Sequence, residues 1–481
     1  MKSNSKKYRY LAKNIGLLTL SSFSTKLLLF LLVPLYTNIL TTTEYGINDL
    51  FYTTIGILVP VLTLNIQDAV MRFSLDTKYD NNKVLSVGLR YLVFGSVIVI
   101  AVLGLNYCFA FFEFQYIFKK YAVYFFLMFF SQALSGLITA YARGIDRIAD
   151  LSVSSVINSV IVIASNILFL VVFKWGLIGY FWANIIGPIL QCVYLIFRIG
   201  ILKNFDIRKT DLNVAKEMKT YSCPMIINTI SWWVNNASDK YIVIYFLGLA
   251  ANGVYSVAAK IPSILSVLQS IFAQAWTLSA VKDYDPEDKN GFFAKTYATY
   301  NCAMTICCSV IIASDKILAK YLYAKDFFSA WKYAPWLTIA ILFGAMSGYL
   351  GGLFSAVKDS KVFGRTTLMG AICNITLNLI LVPVIGIIGA AIATTVSYCS
   401  VWISRMLYSK KYIKLKIKIQ RDCFSYLLLV VQSVLLYYID GIKLYSIEII
   451  LFLAIFVIYI KDVSLVLGKI KNVLVKKRKS V

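Results

Sequence analysis

The chain has 481 residues, of which 59% are hydrophobic and 15% are charged, and its mean hydropathy is +0.73. A soluble domain carries about 25% charged residues. The hydrophobic residues here come in runs of roughly 20, which is long enough to cross a hydrocarbon core about 30 Å thick. The composition therefore excludes a water-soluble enzyme and indicates a polytopic membrane protein.

Basic residues outnumber acidic ones by 48 to 23, for a formal net charge of +25. In a soluble protein this excess would favour nucleic-acid binding. Here most basic residues lie near the N-terminus, in alternate loops between hydrophobic runs, and in the final Lys476-Lys477-Arg478-Lys479 cluster. That distribution follows the positive-inside rule. We therefore predict that both termini are cytoplasmic and that nucleic acid is not a partner.

The sequence lacks the residues that most enzymes use. It contains no histidine, the commonest general base and transition-metal ligand. Its nine cysteines lie in or beside hydrophobic runs without CxxC spacing, and no GxxxxGK[ST] motif for ATP binding occurs. We predict no catalytic residues, no metal and no cofactor, which favours a transporter over an enzyme.

Hydrophobic runs separated by charged breaks predict an all-α protein with about fourteen transmembrane helices. In chain order these predicted helices cover residues 12–40, 47–68, 86–112, 121–141, 149–172, 175–197, 223–247, 252–280, 296–315, 330–356, 362–382, 385–408, 423–440 and 444–460.

A short glycine motif recurs in the two halves of the chain. Gly176-Leu-Ile-Gly179 follows Asn166, and Gly386-Ile-Ile-Gly389 follows Asn378. The sequence separation between corresponding residues of the two copies is nearly constant. An even number of helices in each copy would keep both copies in the same orientation, as in transporters with parallel repeats. The predicted division is an N-terminal lobe of helices 1–6 (1–202), a cytoplasmic linker (203–222), a C-terminal lobe of helices 7–12 (223–410), and helices 13–14 with a basic tail (411–481).

Charged residues inside a membrane are costly, so each is a candidate functional residue. Lys26 lies near the middle of helix 1 and shares a face with Thr19 and Ser22. This polar stripe must face protein or water. Two interpretations are open, namely that Lys26 lines a cavity or that it forms a structural pair.

Helix 7 carries a polar stripe, because residues three and four apart share one helical face. The stripe consists of Asn228, Trp232, Asn235 and Asp239. Lys240 lies roughly 100° away around the same helix. Amides, an indole and a carboxylate together suit a polyhydroxylated ligand. The alternative is a buried polar network that ties helices together.

Helix 8 places a second polar set on one face. Its members are Lys260, Ser263, Ser270 and Gln274. Lys260 either faces a cavity with the others or extends its amine to the membrane surface.

Two arginines lie near the same membrane surface. Arg72 stacks with Asn65 and Asp68 at the end of helix 2, where it either contacts an anionic substrate or pairs with Asp68. Arg90, early in helix 3, either binds an anionic headgroup or anchors the helix.

The embedded charges singled out in this way are three lysines against one aspartate. The lysines are Lys26, Lys240 and Lys260, and the acid is Asp239. A cationic cavity within the membrane suits an anionic substrate such as a diphosphate, because lysine supplies point charge without the geometric demands of a metal.

Several of these residues fall in stretches that resemble a known family, the Wzx-type oligosaccharide flippases. The resemblance covers about residues 10–410. It rests on Lys13-Asn14, Lys26, Tyr36-Thr37, Leu40, Glu44-Tyr45-Gly46, Ala69-Val70-Met71-Arg72-Phe73, Asp239-Lys240, Gly253-Val254-Tyr255, Lys260-Ile261, Trp331-Lys332-Tyr333-Ala334, Asn378 and Gly386-Ile387-Ile388-Gly389. The resemblance implies the polysaccharide transporter family, within the superfamily that also holds MATE exporters and lipid II flippases.

The resemblance also implies an activity. Such flippases move an undecaprenyl-diphosphate-linked oligosaccharide from the cytoplasmic to the outer leaflet of the bacterial inner membrane, with two six-helix lobes around a cationic cavity that opens alternately to each side. We expect Lys26, Lys240 and Lys260 to hold the diphosphate. Sugar contacts are expected from Trp232, Asn235, Asp239 and Gln274, and further charge near the cavity from Arg72 and Arg90.

The expected partners are the lipid-linked glycan, membrane lipids, a polysaccharide polymerase and glycosyltransferases. Three alternatives stay open at this point: a lipid II flippase, which the extra helices 13–14 would suit, a MATE-like cation-coupled drug exporter, and a membrane scaffold without transport.

Overall fold

The computed structural model describes residues 30–109, 115–201, 211–282, 284–357 and 359–464. These residues are almost entirely helical, and none of those described lies in a β-strand. Twelve of the described helices are long and apolar enough to cross a membrane. The predicted all-α, multi-pass membrane protein is thereby confirmed. Of the two further predicted spans, 12–40 lies mostly outside the described residues, and 252–280 is corrected below.

The described residues form two compact units that divide between Ala237 and Ser238. The helices of the first unit are α1 (Val33–Ile39), α2 (Thr42–Leu62), α3 (Ile66–Ser74), α4 (Asn81–Phe109), α5 (Gln115–Gly144), α6 (Ile148–Asn166, continued by a π-helical turn Ile167–Val172) and α7 (Gly176–Ile199). Helix α8 (Leu212–Ala258) begins in the first unit and ends in the second.

The second unit contains the remaining helices. They are α9 (Ser263–Lys282), α10 (Phe292–Leu322), a 3-10 helix Lys325–Lys332, α11 (Ala334–Ala356), α12 (Ser360–Ile385), α13 (Ile387–Ser409), α14 (Ile419–Tyr438) and α15 (Gly441–Ile458). Helix α11 is the most buried of the candidate spans. Its neighbours α9, α10 and α13 pack around it.

The predicted helix 47–68 is wrong at both ends. Helix α2 starts earlier because Thr41 and Glu44 form a capping box, in which Thr41 Oγ1 accepts from the Glu44 amide at 3.2 Å and Glu44 Oε2 accepts from the Thr41 amide at 2.9 Å. It ends at Leu62, because Leu64 and Asn65 adopt left-handed backbone conformations with φ of 53° and 50°. Asn65 therefore does not share one continuous helix with the residues before it.

The predicted helix 252–280 begins just after an observed kink, but it is not continuous. Gly248 has a φ of +86°, which a residue without a side chain adopts readily, and α8 kinks there, in the gap between the predicted helices 223–247 and 252–280. A turn then separates Ala258 from Ser263. Pro262 in this turn has no N–H to donate to a preceding carbonyl, which favours the break.

The glycine motif forms the same kind of helix connection in each unit. Gly176 and Gly386 have positive φ values of 55° and 69° and start the turn into α7 and α13. Three residues later, a Cβ on Gly179 would lie 2.9 Å from Phe169 Cβ, and one on Gly389 would lie 2.6 Å from Leu381 O. The motif therefore allows two consecutive helices to touch backbone to backbone.

The asparagines that precede the motif also behave alike. Asn166 Nδ2 donates to Val162 O at 2.7 Å, and Asn378 Nδ2 donates to Asn374 O at 2.9 Å. Both asparagines are fully buried. The sequence repeat thus corresponds to matching local structure.

Replacing Gly389 with alanine should destabilise the second unit. The new methyl group would press against the backbone of Leu381, which cannot rotate away, so we expect a loss of about 1–3 kcal/mol of stability. Gly364→Ala on α12 is the matched control, because nothing lies within 4 Å of its Cβ position. Thermal unfolding in detergent should show a lower midpoint for Gly389→Ala and no loss for Gly364→Ala. Equal midpoints would contradict the close packing of α12 on α13.

Candidate functional site

Several predicted site residues cannot be placed in the structure. Lys26 lies outside the described residues. Trp232 and Asn235 lie on α8 and Gln274 lies on α9, but their side chains are outside the part of the chain that the structure describes. The same is true of Asn228. Their contacts with substrate stay predictions.

The two arginines of the first unit are exposed. Arg72 lies on α3 and Arg90 on α4. Asp68, the predicted partner of Arg72, accepts a hydrogen bond from Asn65 Nδ2 at 2.7 Å. The planar donors of a guanidinium group are suited to phosphate or carboxylate groups.

Asp239 is the best defined of the predicted site residues, and it is buried. Tyr255 Oη donates to Asp239 Oδ2 at 2.5 Å, and Thr394 Oγ1 donates to the same oxygen at 3.4 Å. The Lys240 amide donates to Asp239 Oδ1 at 2.9 Å. The carboxylate is therefore held by donors from both arms of the kinked helix α8 and from α13.

The network around Asp239 continues onto α12. Asn374 Nδ2 donates to Thr394 Oγ1 at 3.3 Å, and Asn374 Oδ1 accepts from Asn378 Nδ2 at 3.1 Å. Ser238 Oγ donates to the same amide oxygen at 3.4 Å. Asp239 thus belongs to a buried polar network that ties α8, α12 and α13 together, and its contact with sugars stays a prediction.

The two described lysines of the predicted site are half-buried. Lys240 follows Asp239 directly on α8. Lys260 lies in the turn between α8 and α9, where its carbonyl accepts from Ser263 Oγ at 2.6 Å. The predicted common helical face of Lys260, Ser270 and Gln274 is therefore wrong, because Lys260 is not part of α9.

Sequence reasoning missed a buried arginine, Arg405 on α13. Its Nη1 donates to Ser347 O at 2.9 Å, its Nε to Thr366 Oγ1 at 3.1 Å and its Nη2 to Thr367 Oγ1 at 2.9 Å. The guanidinium also lies 4.2 Å from the Phe363 ring centroid. Only 4% of Arg405 is exposed. Its position inside a predicted span was the signal that should have singled it out.

Three buried acids were also missed, and they correct the expected cationic excess. They are Asp315 on α10, Asp422 on α14 and Glu448 on α15. Within the described membrane helices, the buried residues of the charged types Asp, Glu, Lys and Arg are these three, Asp239 and Arg405. Acidic groups therefore predominate among them, whereas Lys240 and Lys260 keep part of their surface exposed.

The fold is shared with transporters of one superfamily. The structure of a lipid II flippase MurJ, in an inward closed conformation, aligns with a TM-score of 0.68 at 15% identity, over 93% of this chain and 99% of that chain. An inward-facing multidrug resistance MATE transporter of the MOP superfamily aligns with a TM-score of 0.64 at 13% identity, over 80% and 95%. A MOP superfamily transporter from Pyrococcus furiosus aligns with a TM-score of 0.57 at 13% identity, over 83% and 96%.

The helical fold is therefore similar to the folds of these three transporters. A sequence model of polysaccharide biosynthesis proteins matches residues 11–277, more than half of the chain, and the chain belongs to this family. No curated protein matches it by sequence. The family resemblance inferred from the motifs is confirmed.

Removing the Tyr255 hydroxyl should weaken the second unit. Tyr255→Phe deprives a buried carboxylate of its shortest hydrogen bond, and we expect a loss of about 1–3 kcal/mol of stability. Tyr245→Phe on the same helix is the control, because Tyr245 is 66% exposed. Thermal unfolding in detergent should show a lower midpoint for Tyr255→Phe alone. A midpoint unchanged from that of the parent protein would refute the role of this hydrogen bond.

Proposed function

We propose that this protein is a flippase that moves an undecaprenyl-diphosphate-linked oligosaccharide from the cytoplasmic to the outer leaflet of the bacterial inner membrane, for surface polysaccharide assembly. The observation that carries the proposal is membership of the polysaccharide biosynthesis family on a chain with a transporter fold. A glycan destined for the cell surface is built on a lipid carrier and must cross the membrane. The proposed activity provides this step without covalent chemistry.

The physical difficulty of this step lies in the head of the substrate. Each hydroxyl that loses its hydrogen bonds on entering hydrocarbon costs about 2–7 kcal/mol, and the diphosphate charge is costlier still. The polyprenyl tail is apolar, so the lipid solvates it without such a cost. The protein therefore has to give the head a polar path while the tail remains in the bilayer.

In our proposal Lys26, Lys240 and Lys260 provide positive charge for the diphosphate. Lys240 and Lys260 are both half-buried, and lysine supplies a point charge that suits a diphosphate. Trp232, Asn235 and Gln274 would contact sugar rings and hydroxyls. Asp239 would act indirectly. Its carboxylate accepts a hydrogen bond from the Lys240 backbone amide, which fixes the position from which the Lys240 side chain extends.

Arg72 and Arg90 have a different place in the proposal. Both are exposed, and both belong to the first unit. We propose that they attract the anionic head, or the headgroups around it, before the substrate enters the transport path. Bidentate guanidinium contacts to phosphate suit this task.

Alternating access requires segments that can absorb changes in backbone angles. Breaks within helices supply them: the left-handed residues Leu64 and Asn65, the kink at Gly248, and the turn between α8 and α9. We propose these three as bending points of the transport cycle. The same scheme has both termini in the cytoplasm, and glycosyltransferases and a polymerase acting before and after the flippase.

A lipid II flippase is the second candidate. The match to MurJ covers a larger share of this chain, 93%, than the match to the MATE transporter, 80%. Both candidate substrates would join a polyprenyl diphosphate to a glycan. The drug exporter is less well supported, because it is expected to need carboxylates embedded in the first unit. The two acids near the ends of the predicted helix 2, Asp49 and Asp68, are only half-buried.

Lys26→Ala should abolish transport without preventing membrane insertion. In a strain that lacks the protein, this variant should leave surface polysaccharide at the level of the deletion, because the diphosphate would lose a cationic partner. Lys26→Arg keeps the charge and should restore part of the polysaccharide. Lys320→Ala, at an exposed position on α10, is the control and should restore all of it. Full restoration by Lys26→Ala would remove Lys26 from the site.

Depletion of the protein separates the two flippase candidates. The proposed function predicts loss of surface polysaccharide while cells keep growing with normal amounts of lipid II. Arrest of growth with accumulation of lipid II would instead favour the second candidate.

A further inference from the structure

Helix α15 carries a buried acid in an otherwise apolar segment. Glu448 is the only carboxylic residue between Gly441 and Ile458, and 1% of it is exposed. Its Oε2 accepts a hydrogen bond from Gln432 Nε2 at 2.8 Å. Its Oε1 has no hydrogen-bond partner in the described structure.

The hydrogen bond to Glu448 belongs to a chain across three helices. Ser309 Oγ on α10 donates to Gln432 Oε1 on α14 at 2.9 Å, and Gln432 in turn donates to Glu448 on α15. Ser309 and Gln432 are fully buried. One amide side chain therefore links the acid to both helices that pack on α15.

Several charged groups of these helices form ion pairs that do not include Glu448. Lys316 of α10 pairs with Asp440 at 2.6 Å. On α14, Arg421 pairs with Asp422 and with Asp462. None of the ion pairs among the described residues includes Glu448, so no positive side chain in this part of the protein pairs with it.

Asp315 is the remaining charged residue on the buried side of α10. Neither of its carboxylate oxygens has a hydrogen-bond partner in the described structure, and 1% of it is exposed. It adds acidic rather than basic character to this side of the helix. The exposed Lys443 lies at the end of α15, within its first turn.

We propose that Glu448, Gln432 and Ser309 form a proton-binding site. An ionised carboxylate buried with one oxygen unpaired and no cation beside it is strongly disfavoured, and uptake of a proton from water removes the charge. The proton adds to a carboxylate oxygen, and no other covalent bond forms or breaks. The ligand of the site is thus a single proton.

The amide of Gln432 suits both protonation states. When Glu448 is ionised, the Gln432 NH₂ group donates to it and the Gln432 carbonyl accepts from Ser309, as observed. When Glu448 is protonated, a flip of the amide lets the new O–H donate to Gln432 Oε1. The NH₂ group then donates to the Ser309 hydroxyl, which can accept as well as donate. Each state therefore keeps both links of the chain.

Polar side chains extend from this site toward one end of the helices. Thr305 and Asn301 precede Ser309 by one and two turns on α10, and Thr305 Oγ1 donates to Asn301 Oδ1 at 3.5 Å. Asn301 Nδ2 donates to Tyr459 Oη, which donates to Asp422, both at 3.0 Å. These groups continue the polar side of α10 from the proposed site to Asp422.

Infrared difference spectroscopy on the full-length protein in lipid nanodiscs tests the proposal. We expect a C=O stretching band of a protonated carboxylic acid that decreases reversibly as the pH rises and is lost in Glu448→Gln. The isosteric substitution keeps the hydrogen bond to Gln432 and should leave the fold intact. Ser309→Ala retains Glu448 and should shift the band, because the hydrogen-bond chain is shortened.

Asp440→Asn is the matched control, since its acid is exposed and paired with Lys316. It should leave the band unchanged. A band that persists in Glu448→Gln, or one that does not change with pH, would overturn the proposal. The readout does not involve transport, so it holds or fails independently of the proposed flippase activity.

Discussion

A polar side chain inside the hydrocarbon of a bilayer finds no water, so other protein groups have to satisfy it. This constraint determines which helices of the second unit touch. Asp239 joins α8 to α13, Arg405 joins α13 to α11 and α12, and Gln432 joins α14 to α10 and α15. Apolar packing holds the helices together, but these buried polar groups specify their partners.

Hydropathy alone predicted most of the fold. Helices α14 and α15 fall where the apolar runs placed helices 13 and 14, and the glycine motif identified two equivalent helix connections. The break at Gly248 falls in the predicted gap between helices 7 and 8, but the breaks at Asn65 and Lys260 were not predicted. They depend on single backbone conformations, whereas a hydropathy window averages over many residues and continues a helix through them.

The candidate site was predicted less completely. The sequence singled out Asp239 and Lys240, and the family resemblance gave the correct family. Sequence reasoning did not single out Arg405 or Glu448, because an apolar run tolerates one charged residue. The sequence does not say whether that residue faces lipid, water or protein. That distinction arises only when helices pack, as Ser347 and Thr366 do around Arg405.

The most direct test of the flippase account is the leaflet in which the lipid-linked glycan resides. Spheroplasts from a strain without this protein would be treated with a membrane-impermeant glycosidase, and polyprenyl-diphosphate-linked glycans would be measured by mass spectrometry. The account predicts that a complete repeat unit accumulates and is protected from the enzyme, and that restoring the protein exposes it. A glycan pool of unchanged size and accessibility would contradict the account.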